Sequence, residues 1–189
     1  MLTAASKIIS TNEHSKLRLR AISMSISFLK ELITYDEEKD CVLPYMPDLI
    51  SAVVAEFEKS FNTSNFELLE EILNLLAIFA GVMEENFGQY YKNIMPGLIN
   101  LLESTPNTSE VQNKLRFLVI STMGHMIGSF LNNPAEIKND IVGIMEKLAG
   151  MQNSIADDDS QHKAILEVYQ IMVKVLGDEY SVFLPQTFE

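Results

Sequence analysis

Residues 87–102 read FGQYYKNIMPGLINLL, an aromatic pair, a Met-Pro and a Leu-rich run with no polar break between them. Proline interrupts a helix or a central strand, yet it is at home in a first helical turn, where its missing N–H has no intrahelical partner. The apolar residues after Pro96 continue at helical spacing, so the stretch reads as a joint with Pro96 in the first turn of a new helix. Two other fragments are built alike: CVLPYMPDLISAV (41–53) and YSVFLPQTFE (180–189) also place an aromatic or Leu before a proline and apolar residues after it. In this reading the aromatics, Tyr90 and Tyr91 among them, wedge each joint against the neighbouring unit.

Working outward, Pro47, Pro96, Pro134 and Pro185 each open a shorter helix, at steps of 49, 38 and 51 residues. Between them, apolar residues keep a helical period almost throughout, as in Leu68, Leu69, Ile72, Leu75, Leu76 and Phe79, and no window alternates as a strand would. The predicted helices cover 1–10, 14–35, 44–60, 65–86, 91–104, 109–131, 134–149 and 159–176, with a further start at 182. Ser64-x-x-Glu67 and Ser109-x-x-Gln112 are capping boxes, Asn133-Pro134 with Glu136 orders a cap, a first-turn proline and an early acid, and Gly88, Gly150 and Gly177 suit left-handed C-terminal caps. Short links make successive helices antiparallel neighbours. A helix pair recurring about every 46 residues is the period of HEAT and armadillo arrays. The expected fold is therefore all-α: an armadillo-like α-α superhelix of about four HEAT repeats in a right-handed solenoid, a single segment 1–189 with repeats near 1–35, 42–87, 90–131 and 134–177 and a further start at 180–189. Leu17-Arg18-x-x-Ala21 and Leu115-Arg116-x-x-Val119 share a Leu-Arg-x-x-small pattern at the openings of two longer helices.

Acidic residues outnumber Lys and Arg 26 to 14, a net charge of −12 that argues against nucleic acid and for basic partners. The first thirty residues hold five bases against Glu13 alone, a balance of +4 that leaves −16 for the remainder. A solvated surface accounts for such a balance as well as a docking face does. The first residues lack the apolar run of a secretory leader, and the most apolar runs, 72–83 and 117–131, are too short to span a bilayer, so no membrane insertion is expected. Cys41, the one cysteine, has no spaced partner for zinc and reads as a small buried hydrophobe.

Chemistry is not legible. His14, His125 and His162 form no metal spacing, and His125 in STMGHMIGSF reads as a structural histidine on an apolar helix face. Phosphate-binding loops and nucleophile elbows are missing from the sequence, and IADDDSQ (155–161) lacks the glycine and the terminal acid of a calcium loop. It serves either as a helix cap or as an acidic patch for a basic peptide. The ten methionines fall mostly at core spacing, among them Met83, Met123, Met126, Met145 and Met172. No enzyme activity, catalytic residue, metal or cofactor is expected.

The segments NFGQYYKNIMPGLINLL, NKLRFLVISTMGHMIG and DDDSQ followed by KVLGDEYSVFLP resemble, in that order, joints and helices of the importin-β (karyopherin-β) nuclear transport receptors, and most closely their importin-β3 branch. The resemblance runs over residues 68–185 and is only general before them. It implies a segment from the central repeats of a longer superhelix that carries cargo through nuclear pores, shuttling between cytoplasm and nucleus, and releases it to Ran-GTP. It also implies that second helices line the concave surface. Lys-rich import signals would then meet Glu67, Glu70, Glu71, Glu84, Glu85, Asp157, Asp158, Asp159 and Glu167, chosen on charge alone. Phenylalanine-glycine repeats of the pore would meet apolar gaps near Phe57, Phe61 and Ile99. A HEAT scaffold subunit of another assembly, such as a phosphatase or a chromosome-associated complex, remains open beside it, because fold alone does not set function.

Overall fold

The computed structural model describes residues 1–34, 40–156 and 159–183, and all structural statements concern these. Among them every regular element is helical, as the apolar period requires: α1 Leu2–Thr11, α2 Ser15–Thr34, α3 Met46–Asn62, α4 Phe66–Met83, α5 Gly88–Ser104, α6 Glu110–Gly128, α7 Lys138–Gln152 and α8 Gln161–Leu176, with short 3-10 turns between them. They form two compact units, Met1–Met83 and Glu84–Glu189.

In the first unit α1 and α2 make one hairpin and α3 and α4 a second, with α3 stacked on α1 and α4 on α2. Ile9, Ile22, Leu29, Leu49, Val53, Leu69 and Ile72 are buried between them. Stacking first helix on first and second on second is the order of a HEAT-type helical repeat array. In the second unit α5 packs on α6 and α7 on α8, and α6 and α8 share the largest interface. Leu115, Val119, Met123, Ile165, Val168 and Met172 fill that seam. Gly124 permits its closest approach, since a Cβ there would stand 2.9 Å from Val168 Cγ2. The methionines expected in the core are there: Met83, Met123, Met126, Met145 and Met172 are all buried.

The two Leu-Arg motifs do the same work in both units. Arg18 and Arg116 sit near the start of second helices and are buried, 5% and 8% exposed. Arg18 Nη1 donates to the carbonyls of Asn12 (2.8 Å) and Glu13 (3.0 Å) in the α1–α2 turn, and its Nε lies 2.9 Å from Glu56 Oε1 on α3, an ion pair off the N–H axis. Arg116 Nη1 donates to the carbonyls of Leu102 (2.9 Å) and Thr105 (2.7 Å) at the end of α5, and its Nε donates to Gln161 Oε1 on α8 at 2.8 Å. Each guanidinium thus satisfies carbonyls at the turn of its own hairpin and reaches a side chain of the next one.

Several sequence expectations are corrected. Pro96 does not open a helix: α5 begins at Gly88, and Pro96 lies inside it. Lys92 and Pro96 are both exposed, so the i+4 donor that the Lys92 carbonyl loses to the proline is lost on the outer side of the helix. Pro47 is in the first turn of α3 as expected, whereas Pro134 starts a separate 3-10 turn, Pro134–Glu136, ahead of α7. Pro185 and the helix start at 182–189 fall largely outside the described residues, and Gly177–Phe183 is a 3-10 turn.

Ser64 does not cap α4; it ends α3. At φ 51° it takes the left-handed position, its N–H donating to the Phe61 carbonyl and that of Asn65 to the Ser60 carbonyl, which closes α3 as glycine usually does. Asn65 then caps α4, its Oδ1 accepting from the Leu68 N–H at 3.3 Å. Ser109 does cap α6, with Oγ accepting from the Gln112 N–H at 3.4 Å and donating to Gln112 Oε1 at 3.0 Å. Gly88 opens α5 and Gly150 lies within α7, so only Gly177, at φ +54°, ends a helix as expected. Cys41 is exposed and its neighbour Val42 is buried instead. Tyr91 is buried, but its ring meets Phe130 of its own hairpin edge-on at 5.1 Å, and Phe87 stacks at a tilt on Tyr90 at 5.9 Å.

Candidate functional site

The acids singled out by charge do not converge on one point. In the first unit Glu67, Glu70 and Glu71 lie on α4 beside Asn74 and Ala77, the stripe left open when Leu68, Leu69, Ile72 and Leu73 turn inward. In the second unit Glu84 and Glu85 occupy the 3-10 turn Glu84–Phe87, and Asn132 Nδ2 donates to Glu85 Oε1. Glu167 is on α8, 3.8 Å from Lys163 one turn earlier. Asp157 and Asp158 lie outside the described residues.

Asp159 is fixed in place. Its Oδ1 accepts from the Gln161 N–H at 2.9 Å, and its Oδ2 from Gln161 Nε2 at 3.1 Å and Asn113 Nδ2 at 3.4 Å. The cap reading of IADDDSQ is therefore realised at Asp159. Gln161 also donates to Asn107 Oδ1 at 3.0 Å and accepts from Arg116, so one polar network runs from the end of α5 through α6 to the start of α8. Burial lowers the Arg116 pKa and Asp159 opposes that shift; the guanidinium stays charged.

Beside this network, at the amino-terminal ends of α6 and α8, lies an open pocket of about 670 Å³, lined by Glu110, Asn113, Lys114, Phe117, Ala156, Asp159 and Ser160. Glu110, Asn113 and Phe117 were not anticipated. Their spacing, i, i+3 and i+7, places them on one face of α6, a signal available in the sequence but shared by any solvated helix face. His125 is exposed on α6, not on a buried face; desolvation lowers its pKa while Glu167 pulls the other way.

The apolar candidates separate cleanly. Phe57 is buried, 5% exposed, and Phe61 is half-buried at the end of α3. Ile99 is half-buried where α5 and α7 stand apart, and it lines two adjoining cavities of about 300 and 370 Å³ there. Met95, Pro96, Leu102, Ile144 and Leu148 give them apolar wall, Asn100, Arg116 and Asp140 add polar groups, and the Lys147–Glu103 ion pair bridges the two helices. Among the described residues no group of His, Cys, Asp and Glu is arranged to hold a metal, and no helix is long and apolar enough to cross a membrane.

Fold and sequence together define an all-helical repeat protein with an acidic balance. The chain is similar to importin subunit beta-3 of Saccharomyces cerevisiae, 24% identical over 157 residues that make up 82% of this chain and 14% of the relative. It is similar also to a probable importin-5 homolog of Dictyostelium discoideum, 25% identical over 139 residues, 69% of this chain and 13% of the relative. The resemblance to the importin-β family seen in the sequence is thus supported by two proteins carrying importin names, and the chain spans about one seventh of their length. No family model and no solved structure matches.

Proposed function

We propose that the chain is a segment of a nuclear transport receptor that binds cargo proteins bearing basic import signals and carries them through the nuclear pore under Ran-GTP control, moving between cytoplasm and nucleus. The observation that supports this most is the coincidence of importin likeness with a net charge of −12 and with acids standing on the second helices α4 and α8. Lys-rich signals are matched by Glu67, Glu70 and Glu71 on α4, by Glu84 and Glu85, and by Asp157, Asp158, Asp159 and Glu167 around α8. Electrostatic attraction of this kind acts over about 10 Å at 0.1 M salt and accelerates capture. The gap between α5 and α7 around Ile99 suits phenylalanine-glycine repeats, since Met95, Pro96 and Ile144 give it apolar wall beside the polar Asn100, Glu103 and Asp140. Phe61 would offer a smaller contact, and Phe57 contributes only from within the core.

In this reading the chain contributes consecutive HEAT repeats, uses no cofactor, contacts no nucleic acid directly and performs no catalysis. Cargo and Ran-GTP would act by selecting among shapes of a stack whose neighbours alone touch. The test is capture of the chain by immobilised Lys-rich import-signal peptides at low and high salt. Salt-sensitive capture is expected; no capture across several signals would remove cargo binding from this segment.

A further inference from the structure

We propose that α2 is the seam of a symmetric dimer, in which two copies of the chain pair through antiparallel α2 helices. The inference stands apart from the cargo reading and does not rest on it. One face of α2, Ile22 and Leu29 included, is buried against α1 and α4. The opposite face carries Arg20, Met24, Ser27 and Glu31 at i, i+4, i+7 and i+11, the 3.5-residue spacing of a seam between two helices. All four are exposed, Met24 at 59%. With the half-buried Ser23 and Phe28 they line a groove of about 680 Å³ between α2 and the start of α1.

A second copy fits this groove because its residues are complementary to one another. About a twofold axis between residues 25 and 26, an antiparallel α2 sets Arg20 against Glu31 of the second copy, Phe28 against Ser23 and Met24 against Ser27. Symmetry makes each of these contacts occur twice. Charge meets opposite charge at both ends of the seam. In its middle each large side chain faces a small one, so the two helices approach closely without overpacking. A parallel pairing in the same register would put Arg20 beside Arg20 and Glu31 beside Glu31, which repel. One helix from each copy buries less than the about 1,200 Å² at which standard interfaces begin, so the dimer is weak and reversible.

The test is sedimentation equilibrium of the whole chain up to about 0.5 mM, under reducing conditions because Cys41 is exposed. The parent is expected to pass from monomer to dimer over that range. Arg20→Glu and Glu31→Arg each set like charges at both ends of the seam, and each is expected to weaken the dimer about ten-fold. The double variant Arg20→Glu/Glu31→Arg restores opposite charges and is expected within about two-fold of the parent. Mixing the two single variants also restores them at both ends, so a mixed dimer is expected where neither variant pairs with itself. All these positions are exposed, and unchanged far-ultraviolet dichroism is expected to show that the fold is kept. Single variants that pair as tightly as the parent, or a double variant no better than the singles, would overturn the antiparallel register. A parent chain that stays monomeric would overturn the dimer and leave the groove to a different partner. Association that continues beyond two copies would overturn it as well, because a symmetric seam closes on itself.

Discussion

A guanidinium buried at the start of a second helix is the residue-scale device that recurs in both units. Arg18 is paired with Glu56, so removing only the cation strands a carboxylate that is 4% exposed. Arg18→Met is expected to destabilise the chain by about 3–5 kcal/mol, and the Arg18→Met/Glu56→Met pair by much less, because loss of both charges removes the desolvation cost together with the attraction. Arg116→Met abandons two α5 carbonyls and Gln161, and a loss of about 2–4 kcal/mol is expected. Urea midpoints measure both; a single Arg18→Met no worse than the double would contradict the pairing. Pro96 is the opposite case, a residue that costs its helix a bond on the exposed side. Pro96→Ala restores an N–H to the Lys92 carbonyl and is expected to stabilise the chain by about 1–2 kcal/mol after the entropy lost from a freer unfolded chain.

At the scale of elements, the helices were legible because an unbroken helical period admits few alternatives, and their observed bounds fall within four residues of those read from the sequence. Punctuation was less legible. Pro96 marks no boundary because an exposed helix face tolerates proline, and Ser64 ends a helix where the sequence shows only a hydroxyl three residues before a glutamate. Of the site, the acids were visible as charge, whereas the pocket joins Asn113 to Asp159 across 46 residues, a pairing that only the packing of α6 on α8 creates. Element packing also sets an alkaline limit. Burial raises Tyr91 on α5, and burial with Tyr180 beside it pushes Tyr169 on α8 up to about 12. Both values stand above the unfolded one of about 10, so their contribution is complete below pH 10 and is lost as pH climbs through the folded values. Phenolate absorbance and far-ultraviolet dichroism are expected to show two of the six tyrosines ionising late, in step with loss of helix. All six ionising near pH 10 with the helices intact would contradict this burial.

For the whole molecule, the charge balance and the helical repeats point the same way. A chain at −12 with acids on α4 and α8 is expected to attract cationic chains at long range and to hold them where side chains find partners. The basic first thirty residues, at +4, set a sign change along the sequence, so a basic signal is expected to favour the acidic remainder. Capture of basic import signals through the acids of this segment is the function proposed for it. Its most direct measurement is the dissociation constant of a Lys-rich import-signal peptide for the whole chain across a salt series. Binding is expected to weaken steadily as salt rises, and an Ala-for-Lys peptide is expected not to reproduce it. Affinity that ignores salt, or that is the same for both peptides, would contradict it.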